Sequence, residues 1–229
     1  MSRPRKRPLV IAVDGTAASG KGTIAKMLAR HFGFAHMDSG SLYRLTALGV
    51  VKAGGDPAKE SDALKAAHAI DLEQAGDPAI RSAEIGTAAS KVSAFPSVRA
   101  ALLDFQRDFL EHPPGESPGA VMDGRDIGTV ICPDATAKLF VDAKPEVRAH
   151  RRWLELESLG QGVVSRERVL HDLVARDEAD RSRAASPLKP APDAALLDTS
   201  NLGIDAAFAA ALALVEPKLK GQLEAKPRG

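Results

Sequence analysis

The sequence predicts an α/β fold: a five-stranded parallel sheet with helices on both faces. Three observations point there. Short apolar runs alternate with segments of helical period, as strands and crossover helices do. A Gly-rich stretch, Gly15-Thr16-Ala17-Ala18-Ser19-Gly20-Lys21-Gly22-Thr23, lies at the junction of the first run and the first helical segment. Charged clusters stand directly after the second and third runs, at the carboxyl ends of strands, where open parallel sheets bind ligands.

The first strand is Leu9-Val10-Ile11-Ala12-Val13, an apolar β-branched run closed by Asp14. Behind the Gly-rich stretch Ile24, Leu28 and Phe32 recur at helical spacing with Met27 beside them. Glycines at a strand-to-helix turn are the context of a phosphate-binding loop. Small residues let the backbone wrap around phosphate oxygens, and amide N–H groups with the positive end of the helix stabilise their charge. Lys21 can reach β- and γ-phosphates, and the hydroxyl of Thr23 can hold Mg²⁺. The strict motif puts Ser or Thr directly after the Lys, whereas here Gly22 intervenes. The whole loop from Gly15 to Thr23 is therefore expected to bind a nucleotide donor, with ATP and Mg²⁺ as cofactors.

Gly33 to Met37 reads as the second strand, followed by Asp38-Ser39-Gly40-Ser41-Leu42-Tyr43-Arg44. Ser39 can donate to a phosphate oxygen and Arg44 can grip one bidentately. A helix cap at Ser39 or Ser41 with a solvated Arg44 explains the same residues. Leu42 to Val51, Ser61 to Ile70 and Ser82 to Ser93 read as helices, separated by Gly54–Pro57 and Gly76–Pro78. Phe95-Pro96 breaks the last of these, and Ser97 is placed to cap a helix striped by Val98, Leu102, Phe105 and Phe109. So much helix between two strands suggests an inserted substrate-binding lobe. The third strand, Ala120 to Met122, runs into Asp123-Gly124-Arg125-Asp126-Ile127-Gly128, for which an Asp-Gly turn with a surface ion pair is the plain alternative. Lys138 to Val141 is the fourth strand. Pro145 opens a helix carrying Val147, Arg151, Arg152 and Leu154, which Gly160-Gln161-Gly162 breaks. Ser165 caps a further helix with Leu170, Leu173 and Val174 on its inner side. Its later half, Arg176-Asp177-Glu178-Ala179-Asp180-Arg181-Ser182-Arg183, suits a solvated, salt-bridged face when taken alone. Leu196 to Asp198 is the fifth strand. Ile204 to Val215 is the closing helix, ended by Pro217 and a Lys-rich tail.

Composition narrows the function. The chain has 229 residues, 44% hydrophobic and 4% aromatic, with 31 basic and 30 acidic residues and a net charge of +1. That balance supplies no general attraction to nucleic acid or membrane. Cys132 is the single cysteine and the six histidines are scattered, so no disulfide framework or metal-ligand pattern emerges. No apolar run approaches membrane-spanning length, and the basic start, Arg3 to Pro8, lacks the apolar segment of a signal peptide. A cytoplasmic monomer without nucleic-acid or membrane partners is the expectation, with residues 1–8 a disordered basic tail and 221–229 a flexible one.

Taken together, the arginine-bearing clusters exceed what one bound nucleotide needs and suit a second phosphate-bearing ligand. The chemistry this favours is phosphoryl transfer between two anions, in which protein groups align the partners and screen charge. An acceptor phosphate is already ionised at neutral pH, so no general base is required.

At these residues the chain resembles the bacterial cytidylate kinases, nucleoside monophosphate kinases of the P-loop class that phosphorylate CMP and dCMP from ATP. The resemblance is carried by Asp14 to Thr23, Asp38 to Arg44, Ala88-Ala89-Ser90 through Phe95-Pro96-Ser97-Val98-Arg99, Asp123 to Thr129, Arg148-Ala149-His150-Arg151-Arg152, and Arg176 to Arg183 with Pro187-Leu188, in the family's order from about residue 9 to 215. It implies one kinase domain over 9–220, with a core of 9–39, 113–154 and 185–220, an acceptor-binding insert over 40–112 and a small lid over 155–184. It implies that Lys21 and Thr23 serve ATP and its Mg²⁺. Ser39, Arg44, Arg125 and Arg183 would contact the acceptor phosphate, with Tyr43 among the substrate-binding residues. Ser90, Arg99 and Asp126 would meet the cytosine, Arg176 and Asp180 the ribose, and Arg151 would come from the lid. Lys21, Arg125, Arg151, Arg176 and Arg183 form the implied catalytic set. The family usually carries a small β-rich insert before the segment that starts here at Ile80-Arg81; the stretch Asp71 to Pro78 is short and turn-like instead. A kinase for another nucleoside monophosphate or phosphorylated metabolite would share the loop but lack the combined Ser90, Arg99 and Asp126 set. A non-catalytic nucleotide switch would be favoured by a guanine-reading Asn-Lys-x-Asp motif, and the sequence has none.

Overall fold

The computed structural model describes residues 7–160 and 164–224. The remainder of the expected basic tail (1–6), most of the expected break at Gly160–Gly162, and 225–229 of the C-terminal tail lie outside the described residues. The strands are β1 (Leu9–Gly15), β2 (Ala35–Asp38), β3 (Gly119–Gly124), β4 (Ala137–Asp142) and β5 (Ala195–Asp198), in the order β2-β3-β1-β4-β5 of one parallel sheet. β1 is central: Val13 pairs with Asp123 of β3 and with Leu139 of β4. The helices are α1 (Lys21–Phe32), α2 (Ser39–Lys52), α3 (Glu60–His68), α4 (Ala83–Val92), α5 (Pro96–Glu111), α6 (Pro145–Ser158), α7 (Arg166–Ser182) and α8 (Ile204–Glu224).

The chain groups into two compact units. One holds the sheet, α1, the second half of α5 and α8, with Phe105–Asp142 and the chain from Lys189 onward; the other is Asp38–Asp104 with Ala143–Leu188. In the sheet unit, Ile11, Val13, Val121, Leu139 and Val141 pack with Ile24 and Leu28 of α1 and Ala211, Val215 and Leu219 of α8. Ala12 and Met122, which alternation places on the opposite face, are equally buried, so both faces of the sheet are covered. In the second unit α6 packs with α7. Arg148 of α6 and Asp177 of α7 form an ion pair at 2.6 Å whose side chains are 3% and 2% exposed, and this pair ties the helices together.

Several boundaries differ from the sequence reading, each for a local reason. α2 begins at Ser39, not Leu42, because Asp38 is the cap: its Oδ1 accepts from the Gly40 N–H at 2.9 Å. α5 begins at Pro96, so Ser97 lies in the first turn, where its hydroxyl donates to Glu60 at 2.6 Å and caps nothing. Asp71 to Arg81 is not a plain turn but two 3₁₀ turns, each started by an Asp side chain. On α7, Val169 and Leu173 are buried but Val174 is 48% exposed. α8 runs through Pro217 to Glu224 because Ala207, Ala211, Val215 and Leu219 keep a buried stripe on one side. Pro217 and Ala213, whose carbonyl the proline cannot serve, are both exposed, so water can satisfy that carbonyl.

Candidate active site

In the sheet unit the loop from Gly15 to Thr23 adopts the conformation its residues allow. Gly15 ends β1 at φ 155, and a Cβ there would sit 2.0 Å from the Val141 carbonyl oxygen, so only glycine permits the close pairing with β4. Ala18 at φ 57 and Gly20 at φ 90 turn the backbone through the left-handed region before α1 starts. Such successive turns aim N–H groups inward at an anion. The loop is braced from below. The Thr16 hydroxyl donates to Asp142 Oδ1 at 2.6 Å, the Ser19 hydroxyl to the Thr16 carbonyl at 3.0 Å, and the Thr199 hydroxyl to the Ser19 carbonyl at 2.8 Å. Lys21 curls back so that its ammonium meets the Thr16 carbonyl at 3.4 Å. Thr23 is exposed in the first turn of α1.

The same unit holds the turn that leaves β3. Asp123, 3% exposed, accepts or shares a proton with His36 Nε2 at 2.9 Å, and its Oδ2 lies 3.5 Å from where a Cβ on Gly22 would sit. Arg125 is half-buried and donates to the Gly124 carbonyl at 3.3 Å, while Asp126 is 4% exposed. Ile127–Ile131 forms a single π turn, a geometry that recurs at functional sites. Its first two amides, Ile127 N and Gly128 N, both donate to the Asp14 carboxylate at 2.8 Å. Burial pushes the Asp14 carboxyl up to about 7 despite those two donors.

The second unit gathers most of the expected acceptor-side residues around the C-terminal turn of α4. Arg99 donates to the Ser93 carbonyl at 3.4 Å, and Arg183 to the same carbonyl at 3.5 Å and to the Ser93 hydroxyl at 3.4 Å. The negative end of a helix suits such cations. Arg183 also lies 3.4 Å from Asp180, and the Arg99 guanidinium stands 5.3 Å from the centre of the Tyr43 ring. Arg44 donates to the Ile80 carbonyl at 2.6 Å, and its guanidinium is 3.5 Å from where a Cβ on Gly86 would lie. One turn away, the Ser90 hydroxyl donates to the Gly86 carbonyl at 3.3 Å. Ser90 and Arg176 line a cavity of about 540 Å³ between α4 and the α6–α7 pair, walled by Leu156, Val169 and Leu173. Ser39 is buried in the first turn of α2, and Arg151 is half-buried on α6. Arg44 and Ser90 thus lie at Gly86, and Tyr43, Arg99, Asp180 and Arg183 gather at Ser93 on the end of the same helix.

The segment Arg176 to Arg183 is solvated on one side only, through Glu178, Arg181 and Ser182. Asp177 and Asp180 are 1% and 6% exposed, and the partners of both include arginines. The sequence reading gave no role to the supporting residues Asp14, Asp142, Thr199, Arg148 and His36. Only Asp14 offered a signal, an acid closing an otherwise apolar strand. The others act through partners distant in the chain, which spacing cannot reveal.

Comparison with known proteins agrees with this geometry. The family model described as cytidylate kinase matches residues 11–217. The cytidylate kinase of Rhodopseudomonas palustris (strain TIE-1) is 52% identical over 93% of this chain and 99% of its own length. That of Nitrobacter winogradskyi is 54% identical over 91% of this chain and 96% of its own. A crystal structure of an uncharacterized protein from Eubacterium ventriosum shares the fold, with a TM-score of 0.51 at 15% identity, covering 91% of this chain and 98% of that one. A family model that matches nearly the whole chain, and relatives more than half identical over nine-tenths of it, show that the protein belongs to the cytidylate kinase family.

Proposed function

We propose that this chain transfers the γ-phosphoryl group of ATP to the phosphate of CMP and dCMP, giving CDP and dCDP. The observation that supports the reading is that Arg44, beside Gly86 in the first half of α4, and Arg99 and Arg183, at Ser93 on its C-terminal end, lie along one helix, on a chain that also carries the Gly15–Thr23 loop. A nucleotide switch would need the loop alone; a kinase acting on a second phosphate needs both. The loop amides and Lys21 hold the donor phosphates. Ser39, Arg44, Arg125 and Arg183 take the acceptor phosphate, with Arg151 joining when the donor is bound. Ser90, Arg99 and Asp126 read the cytosine, and Arg176 and Asp180 the ribose. A cytosine edge presents a donor and an acceptor where uracil inverts them, and a mismatched buried polar group costs about 1–3 kcal/mol.

The residues fit Mg²⁺. The exposed Thr23 hydroxyl and the nearby Asp123 carboxylate offer hard oxygen donors at the start of α1, and a cation that keeps most of its waters needs few protein ligands. Thr23 would hold it, and the chemistry supplied there would be positive charge that screens the donor phosphates. The arginines orient the acceptor oxygen for in-line attack. Their planar forks can each bridge two oxygens, which a lysine point charge does poorly.

Measuring kcat/KM for CMP, dCMP, UMP and AMP with ATP tests this. CMP and dCMP should lead. UMP or AMP as the best acceptor would overturn the cytosine reading.

A further inference from the structure

We propose that Asp14 is a positioning residue for the acceptor-side turn: its carboxylate clamps the backbone of Ile127 and Gly128 and so sets Arg125 and Asp126 in place. The inference rests on the reading of Arg125 and Asp126 as acceptor-side groups.

The geometry is specific. Oδ1 accepts from Ile127 N and Oδ2 from Gly128 N, each at 2.8 Å, so both oxygens serve consecutive amides of one turn. Asp14 is 3% exposed, so water cannot replace either bond. The register pairs Asp14 with Gly124, which places the carboxylate beside the strand end from which Arg125 and Asp126 depart. On the far side, the Asp126 carbonyl accepts from Val130 N at 2.9 Å and Ile131 N at 3.2 Å, closing the π turn. The two residues therefore sit between a strand end and a clamped turn. The space at Gly128 is tight: a Cβ would stand 3.1 Å from Lys138 Cδ and 3.3 Å from Asp14 Oδ2. Only a carboxylate at position 14 offers two acceptors; an amide would turn an N–H₂ toward one of the two N–H groups. Burial cost is the reason not to keep an acid here without a task, and the carboxyl is pushed up to about 7 by that burial, with Asp126 adding to the rise and Arg125 opposing it. Because Asp14 directly precedes Gly15, one residue joins the base of the donor loop to the acceptor-side turn.

The test is kinetic and spectroscopic. At about pH 8, where the carboxylate is ionised, Asp14→Asn should raise the CMP KM by about tenfold and leave the ATP KM within about twofold, with Asp14→Ala worse. Arg125→Lys, measured in parallel, should raise the same CMP parameter. Equal rises in both KM values would mean that β1 and the phosphate loop are merely distorted, and no change in either would mean that the turn holds itself; both outcomes overturn the proposal. If Arg125→Lys leaves CMP kinetics untouched while Asp14→Asn alters them, the acceptor role of Arg125 fails and the clamp survives. The parent protein supplies a readout that needs no variant. The amide proton resonances of Ile127 and Gly128 should move together as pH is taken from about 5 to 9. Movement of neither, or of one alone, refutes the bidentate clamp even if the substituted chains do not fold.

Discussion

Replacing Asp14 by Asn should change how stability depends on pH, and the size follows from the site. The carboxyl rises from an ordinary 3.8 to about 7 because it is buried, and its two backbone donors do not cancel that cost. A shift of about three units corresponds to on the order of 4 kcal/mol. The sign is fixed by proton binding. Between the unfolded and folded values the native state holds a proton that the unfolded chain has released, so stability falls as pH rises through that window. The contribution is fully present below the unfolded value and lost above about 7. Between about pH 5 and 8 it amounts to about 3 kcal/mol. Asn cannot titrate, but it leaves one buried N–H facing a donor, a cost of about 1–3 kcal/mol. Urea unfolding of parent and Asp14→Asn at several pH values should therefore give a difference that shifts in favour of the variant as pH rises. Subtracting one curve from the other removes the titration of groups common to both. Parallel curves would show that Asp14 does not titrate in this window and would refute the reasoning.

Two further perturbations separate catalysis from folding. Lys21→Ala should abolish nearly all turnover while moving the Tm little, because glycines and backbone turns, not the Lys21 side chain, build the loop; an active variant would remove Lys21 from the phosphate site. Asp177→Asn should cost about 3–5 kcal/mol by urea unfolding, since it strands the buried charge of Arg148; Arg148→Met with Asp177→Leu should cost much less than the sum of the single changes, and strict additivity would show that the pair is not coupled.

The sheet was legible because its strands are buried on both faces and read as apolar runs, and because the loop glycines mark the strand-to-helix turn. Helix ends were less legible. Asp38, Ser39 and Ser41 compete for one cap, and only the backbone decides that Asp38 takes it. Pro217 reads as a terminator, yet the helix continues past it, since a buried stripe outweighs one missing bond that faces water. On the site side, the phosphate loop and the arginine-bearing clusters were visible as patterns. The acids that brace them were not. Thr16 meets Asp142 across 126 positions and Arg148 meets Asp177 across 29, so no local spacing announces either pair.

Contact geometry divides arginines that look alike in sequence into two kinds. Arg148 is committed to a carboxylate at 2.6 Å, which cancels its charge and leaves it fit only to join α6 to α7. Arg44, Arg99 and Arg183 are held differently, by the carbonyls of Ile80 and Ser93. A neutral carbonyl orients a guanidinium through its dipole. Arg183 does have a carboxylate nearby, but Asp180 stands 3.4 Å away, a looser contact than the Arg148 pair. Orientation without neutralisation is what charge-assisted recognition of an anion needs, because a guanidinium already satisfied by a close carboxylate must lose that partner before it can bind another. Arg148 thus belongs to the scaffold that ties α6 to α7, whereas Arg44, Arg99 and Arg183 are proposed to serve the acceptor, although composition and spacing treat all four alike.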